Sequence, residues 1–135
     1  EPIVCKDVPG FIVNRLQFAM IVEALNLLEQ GIARMEDIDK VWTRHLGIRY
    51  TLMGPMEALD NIGLDVALDC QAYLFEKLKA SKFRPPDVLK QKVKAGELGV
   101  KSGKGFHDYE GKNLEDLIRA RDRRFIRLLK ELKII

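Results

Sequence analysis

The sequence lacks long uncharged apolar runs, and this absence excludes one broad class of protein. No stretch of the 135 residues approaches the roughly 18 to 20 consecutive apolar residues that a membrane crossing requires. Hydrophobic residues make up 47% and charged residues 32% of the chain, as in a globular protein. We therefore predict no membrane segment and one domain over residues 1–135, a length that suffices to bury a core.

Cysteine and histidine are scarce, with two of each. Cys5 and Cys70 lie far apart and without metal-ligand spacing, which predicts reduced, packed thiols in a cytoplasmic protein. His45 and His107 have no nearby serine or cysteine that would form a nucleophile and base, and no Asp, Glu and His cluster has metal spacing. We predict no metal site, and each histidine is interpreted as a surface or loop residue.

A nucleotide-binding fingerprint is also missing. The glycine-rich segment GVKSGKGF, residues 99–106, has exposed backbone amides and two lysines that could hold a phosphate. A phosphate-binding loop should follow a buried strand and open a helix. This segment instead follows a lysine-rich helical stretch and leads into HDYEG, so turn geometry is the favoured interpretation.

Helical periodicity extends along most of the chain and predicts an all-α fold of six or so helices. Residues 1–9 are expected to form an extended linker. A helix over residues 10–29 carries Phe18, Val22 and Leu25 opposite its main apolar arc, so it needs cover on more than one face. We expect Gly31 to end this helix.

Further helices are expected in four segments of the chain. One spans residues 35–46 and ends at Gly47. Residues 55–80, with Pro55 in the first turn, form two pieces or one helix interrupted around Gly63. A short helix over residues 86–95 is closed by Gly96. The last spans residues 113–133, is capped by Asn113 and packs along a narrow apolar seam, which consists of Leu114, Ile118, Phe125, Leu128 and Leu132.

The net charge of +3 hides an uneven distribution. Residues 112–133 carry eight Lys or Arg against four Asp or Glu, a surplus of four, which leaves the rest of the chain at minus one. A basic helix can bind nucleic acid, but no aromatic residues interleave with it for base stacking. We interpret the segment as a solvated face and expect no nucleic-acid partner.

Two polar residues stand out as candidates for ligand binding. Asn14 places one amide in the first turns of an otherwise apolar helix, where it either satisfies a neighbouring backbone group or binds a ligand. Arg49 lies between Ile48 and Tyr50 in a predicted connecting loop and is a candidate for contacting an anionic ligand, although a structural role is favoured there.

Three motifs together resemble the C-terminal domain of 3-hydroxyacyl-CoA dehydrogenases. They are KDVPGFIVNRL at residues 6–16, GPMEALDNIGLD at residues 54–65 and LGVKSGKGFHDY at residues 98–109. Their order and spacing match those of the family over nearly the whole chain. The segment LGIRYTLMGP and the long tail are more similar to the short-chain enzymes and their lambda-crystallin and gulonate-dehydrogenase relatives.

The resemblance implies the helical domain that follows a Rossmann domain in hydroxyacyl-CoA and 6-phosphogluconate dehydrogenases. In such an enzyme the Rossmann domain, absent from this sequence, binds NAD and supplies the catalytic His and Glu. The helical domain closes the acyl-CoA cleft and forms a homodimer. Asn14 occupies the position of the family's substrate-positioning asparagine, and no residue of this chain is expected to bind the cofactor.

Three other interpretations remain open at this point. The chain could be a free-standing helical association module, a dehydrogenase of free hydroxy acids of the lambda-crystallin type, or a basic nucleic-acid-binding domain. The sequence begins with Glu1 and not with methionine, which suggests a piece of a longer protein.

Overall fold

The structure, a computed structural model, describes all residues from Glu1 to Ile135, and its regular elements are all helices. The α-helices are α1 (Val13–Glu29), α2 (Met35–Val41), α3 (Gly47–Leu52), α4 (Pro55–Ile62), α5 (Leu64–Leu78), α6 (Asp87–Lys94) and α7 (Leu114–Glu131). A π-helical turn occupies Trp42–Leu46, and 3-10 turns occupy Ser81–Phe83 and Val100–Ser102. No β-strand forms, so the predicted all-α class is confirmed. None of the helices has both the length and the apolar character needed to cross a membrane.

The chain divides into two compact units, residues 1–46 and residues 47–135. The first unit contains α1, α2 and the π-helical turn, and none of its residues is buried. The second unit contains α3 to α7 and the hydrophobic core. That core consists of Leu64, Ala67 and Leu89, with Leu59, Leu68, Val93 and Phe106 packed against it. The organisation of residues 1–135 as one functional domain stays a prediction.

Helix α1 begins at Val13, three residues later than the periodicity predicts. Gly10 and Phe11 have φ angles of +77° and +46°, so the PGF sequence forms a left-handed turn before the helix. The predicted end at Gly31 is confirmed. Its φ is +65°, and the amides of Gly31 and Ile32 donate back to carbonyls of the last turn at 3.0 Å each, which is a Schellman ending.

The predicted helix end at Gly47 is wrong. A glycine stops a helix by adopting a left-handed conformation, and Gly47 has no positive φ. The helical backbone passes through the π-helical turn Trp42–Leu46 into α3. Arg49 therefore lies on a helix and not in the connecting loop that the sequence indicated.

Four local predictions in the second unit are confirmed. Pro55 occupies the first turn of α4, and Gly63, with a φ of +102°, separates α4 from α5. Gly96 closes the short helix α6 with a φ of +73°. Asn113 caps α7, since its side-chain oxygen accepts a hydrogen bond of 3.2 Å from the Asp116 amide. Each of these signals acts within about one helical turn.

Helix α7 does not bury the whole apolar seam that its periodicity predicts. Three members of the seam are exposed: Leu114, Ile118 and Leu132. Polar anchors attach the helix instead. Arg121 donates to Asn61 Oδ1 at 3.3 Å, and Arg124 donates to the Leu52 carbonyl at the end of α3 at 2.5 Å. Because the last carbonyls of a helix lack intrahelical donors, an arginine can satisfy them.

Candidate functional site

Asn14 is the second residue of α1, and its side chain is exposed. The structure gives the amide no hydrogen-bond partner within the protein. The side chain of Asn14 therefore does not bond to a neighbouring backbone group, which was the structural interpretation of this residue. An exposed amide without a protein partner keeps both donor and acceptor capacity for a ligand.

An apolar pocket of about 390 Å³ lies within the first unit, beside the start of α1. Its walls are Ile3, Val4, Cys5, Phe11, Ile12 and Val13. Val13 directly precedes Asn14 in the chain, and Asn14 itself is not among the walls. A pocket with such walls can accept an apolar group.

Arg49 lies in the second unit and lines a cleft of about 330 Å³ between α3, α4 and α7. The remaining walls are Met53, Ala58, Asn61, Ile62, Arg121, Asp122 and Phe125. The Arg49 side chain is exposed and forms no hydrogen bond or ion pair within the protein. Asn14 and Arg49, the two candidates that the sequence indicates, belong to different units.

The sequence did not indicate the most buried polar residue of the chain, Asp60. Its exposed fraction is 1%. One carboxylate oxygen accepts from the Phe106 amide at 2.8 Å, and the other accepts from the His107 amide at 2.8 Å and the Tyr109 hydroxyl at 3.1 Å. A buried carboxylate is stable when backbone donors satisfy both oxygens. Asp60 therefore holds the second and third sequence motifs together.

The glycines of the loop allow this approach to Asp60. A Cβ atom on Gly105 would overlap the Asp60 carboxylate, and one on Gly99, whose φ is +96°, would overlap the Asp60 backbone. The loop amides bond within the protein: Gly99 donates to the Lys104 carbonyl at 2.7 Å and Gly105 to the His107 carbonyl at 2.9 Å. The favoured interpretation of this segment as turn geometry agrees with these contacts.

Charge and burial around the loop affect one titratable group strongly. Burial, followed by the hydrogen bond to Asp60 and its negative charge, raises the pKa of Tyr109 above its usual value. Tyr109 therefore keeps its proton and donates a hydrogen bond to Asp60. A second contact, the ion pair of Lys101 with Asp65 at 2.6 Å, fastens the loop to the start of α5.

The cysteine prediction requires a correction. Both thiols are free, as expected, but Cys5 and Cys70 are exposed and not packed. No group of three or more His, Cys, Asp or Glu side chains could hold a metal ion. On α7, the Arg119–Glu115 and Arg127–Glu131 pairs lie along the exposed surface, as on a solvated helix face.

The fold is an all-α domain in which Asp60 joins the second and third motifs. Comparison with known proteins identifies its family. The sequence model of a protein family, the 3-hydroxyacyl-CoA dehydrogenase C-terminal domain, matches residues 10–109. The chain therefore belongs to this family. That stretch includes α1 with Asn14, the α4 motif with Asp60, and the glycine loop.

Individual curated proteins are similar to this chain over most of its length. A probable 3-hydroxybutyryl-CoA dehydrogenase of Bacillus subtilis is 46% identical over 107 residues, which are 79% of this chain and 36% of the relative. A 5-formyl-3-hydroxy-2-methylpyridine 4-carboxylate 5-dehydrogenase of Mesorhizobium japonicum is 35% identical over 124 residues, 92% of this chain and 40% of the relative.

A crystal structure of a 3-hydroxyacyl-CoA dehydrogenase from Archaeoglobus fulgidus matches 100% of this chain and 45% of that one. The TM-score is 0.88 and the sequence identity 42%. The chain spans little more than a third, 36%, of the length of the Bacillus subtilis relative.

Proposed function

We propose that this chain closes the substrate cleft of an NAD-dependent 3-hydroxyacyl-CoA dehydrogenase and forms the dimer interface of that enzyme. The reaction would be the reversible oxidation of a (3S)-hydroxyacyl-CoA to the 3-oxoacyl-CoA, in fatty-acid metabolism. The observation that carries the proposal is the family match over residues 10–109, which includes the motif around Asn14. The Bacillus subtilis relative, named a probable 3-hydroxybutyryl-CoA dehydrogenase, supports the proposal.

The residues of this chain do not fit NAD. A dinucleotide site of the Rossmann type needs a strand, a glycine-rich turn and a helix N-terminus, and the chain has no strand. The glycine loop cannot replace it, because the Phe106 and His107 amides are already bonded to Asp60. We assign cofactor binding and proton transfer to a Rossmann domain of the parent enzyme.

Asn14 would act as a positioning residue for the substrate in the parent enzyme. Its amide N–H can donate to the oxygen that becomes the carbonyl, and so orient the reacting carbon. Its exposure and lack of a protein partner support this role. The apolar pocket beside α1 offers a surface of the kind that an acyl chain contacts.

The proposed dimer interface rests on helix α1. No residue of α1 is buried, and Phe18, Val22 and Leu25 are 57%, 50% and 58% exposed. A helix that leaves apolar residues uncovered on opposite faces gains stability from a partner surface. A second copy of the chain would supply that surface through two-fold symmetry.

Asn14→Ala in the parent enzyme tests the proposed catalytic role. We expect kcat/KM to fall by roughly ten- to several-hundred-fold, a loss of about 1.4 to 3 kcal/mol of transition-state positioning, while NAD affinity changes little. Gln17→Ala, which shortens another exposed amide on α1, is the matched control. Unchanged turnover in Asn14→Ala would contradict the positioning role.

A substrate without CoA is the second candidate. The Mesorhizobium relative, whose name contains no CoA ester, aligns over 124 of the 135 residues, so the alignment must extend into α7. Comparing the parent enzyme's kcat/KM for 3-hydroxybutyryl-CoA with that for 3-hydroxybutyrate separates the two candidates. A preference for the free acid would replace the first proposal by the second.

A further inference from the structure

The cleft between α3, α4 and α7 is not explained by the proposed role of Asn14. All of its walls belong to the second unit, and one side is α7. Helix α7 lies beyond the residues 10–109 that the family model matches. The cleft is therefore completed by a part of this chain that the family model does not describe.

Its charged residues differ in how much of their hydrogen-bonding capacity is used. Arg121 donates through Nε and Nη2 to Asp122 at 3.0 and 2.8 Å, and through Nη1 to Asn61 at 3.3 Å. Because a guanidinium has five N–H groups, two remain on Arg121. Arg49 has no partner in the protein, so all of its N–H groups are available.

The arrangement favours a ligand with one negative charge. Two arginines and one aspartate in the wall leave a net charge of plus one. The remaining capacity of Asn61 is reduced, since its Nδ2 donates to the Glu57 carbonyl at 2.8 Å. The carboxylate of Asp122, fixed on Arg121, would repel a dianion more strongly than a monoanion.

The apolar walls add a second requirement. Met53, Ile62 and Phe125 face the same cleft as the arginines, so a suitable ligand has a short hydrocarbon part as well as an acidic group. A planar carboxylate matches the fork of a guanidinium. We propose that this cleft is a carboxylate-binding site in which Arg49 is the principal ligand and Arg121, held by Asp122 and Asn61, is the second.

Two kinds of molecule present such a group. One is a free hydroxy acid, and the other is an acyl chain that ends in a carboxylate. The proposal does not depend on the role of Asn14, because binding to the cleft can be measured without cofactor or turnover.

The test is a titration of the 135-residue chain, labelled with nitrogen-15, with 3-hydroxybutyrate, hexanoate, methyl 3-hydroxybutyrate and inorganic phosphate. We expect saturable shifts of the Met53, Asn61 and Arg121 amides with the two carboxylates, and none with the neutral ester. Tighter binding of 3-hydroxybutyrate identifies a free hydroxy acid, and tighter binding of hexanoate identifies a carboxylate-ended chain.

Arg49→Gln should weaken carboxylate binding by roughly tenfold or more, since it removes the charged, forked donor. Arg123→Gln, which removes an exposed arginine from α7, is the matched control and should bind as the unchanged chain does. Should Arg49→Gln perturb the fold, as seen in its unliganded spectrum, Arg49→Lys replaces it and should bind more weakly than the unchanged chain. Equal binding by the folded Arg49 variant, equal binding of the ester, tighter binding of phosphate or no saturable shift would each overturn the proposal.

Discussion

Asp60 shows how a single residue can join two distant segments. Its carboxylate accepts three hydrogen bonds from residues 106, 107 and 109, in a place where it is 1% exposed. Asp60→Asn replaces one acceptor oxygen by a donor nitrogen, so at least one loop amide loses its partner. We expect the free energy of unfolding to fall by roughly 1 to 3 kcal/mol.

Urea denaturation measures this loss as a lower midpoint with an unchanged slope. Asp69→Asn makes the same chemical change at an exposed position of α5 and should leave the midpoint nearly unchanged. A midpoint for Asp60→Asn equal to that of the control would show that the contacts with the loop contribute little to stability.

The raised pKa of Tyr109 predicts that the free energy of unfolding changes at high pH. Burial and the negative charge of Asp60 raise its pKa in the folded state above the usual 10.0, whereas the unfolded chain ionises near the usual value. The folded state therefore binds this proton more tightly. Its contribution is fully present below about pH 10 and is lost as the pH rises beyond it.

Comparing urea midpoints between about pH 8 and pH 11 measures this effect. Tyr109→Phe should lose less stability over this range than the unchanged chain, because it has no phenol to ionise there. Tyr73→Phe, at a position 61% exposed, controls for the loss of a tyrosine. Identical pH dependence in Tyr109→Phe and the unchanged chain would contradict the prediction.

At the scale of whole elements, the helices differ in what stabilises them. Helices α4, α5 and α6 contribute to the core of the second unit through Leu59, Leu64 and Leu89. Helix α1 buries no residue, although it has 17 residues. Because most helical stability in proteins comes from packing of an apolar face, α1 should gain stability from a partner surface.

Val22→Asp tests α1 as the dimer helix. We expect the unchanged chain to sediment as a dimer at low micromolar concentration and high salt, because a largely apolar interface is insensitive to salt. The charged side chain should shift Val22→Asp to a species of about the chain mass, 15.5 kDa. Gln17→Asp adds the same charge at an exposed polar position of α1 and should remain dimeric.

Two sedimentation results would contradict this role of α1. A single species of 15.5 kDa for the unchanged chain would refute the dimer itself. A dimer that persists in Val22→Asp would place the interface elsewhere, and the exposed apolar residues of α7, Leu114, Ile118 and Leu132, would be the next surface to alter.

At the scale of the whole molecule, the all-helical fold leads to a prediction about NAD. We expect the isolated chain to fold, and to show neither NAD binding nor dehydrogenase activity, since no strand, turn and helix combination for a dinucleotide is present. Calorimetric titration with NAD should give no heat of binding. Micromolar affinity would contradict the assignment of the cofactor to another domain.

The sequence by itself determined the helical class, the family and most helix ends. Pro55, Gly63, Gly96 and Asn113 act on backbone groups within a few residues, so their effects can be predicted without knowledge of the fold. The three motifs were sufficient to indicate the family that residues 10–109 match. The roles of Asn14 and Arg49 stay predictions.

Only the tertiary structure decided which residues far apart in the sequence come into contact. Asp60 and its loop partner Phe106 are 46 positions apart, and Asn61 and Arg121 are 60 apart. Such pairs depend on how helices pack, which no local pattern specifies. For the same reason, the sequence shows Arg121 only as a charged residue between the apolar positions of α7, whereas in the structure its contact with Asn61 helps to anchor the helix. Gly47 likewise does not end a helix, because it has no positive φ and is the first residue of α3.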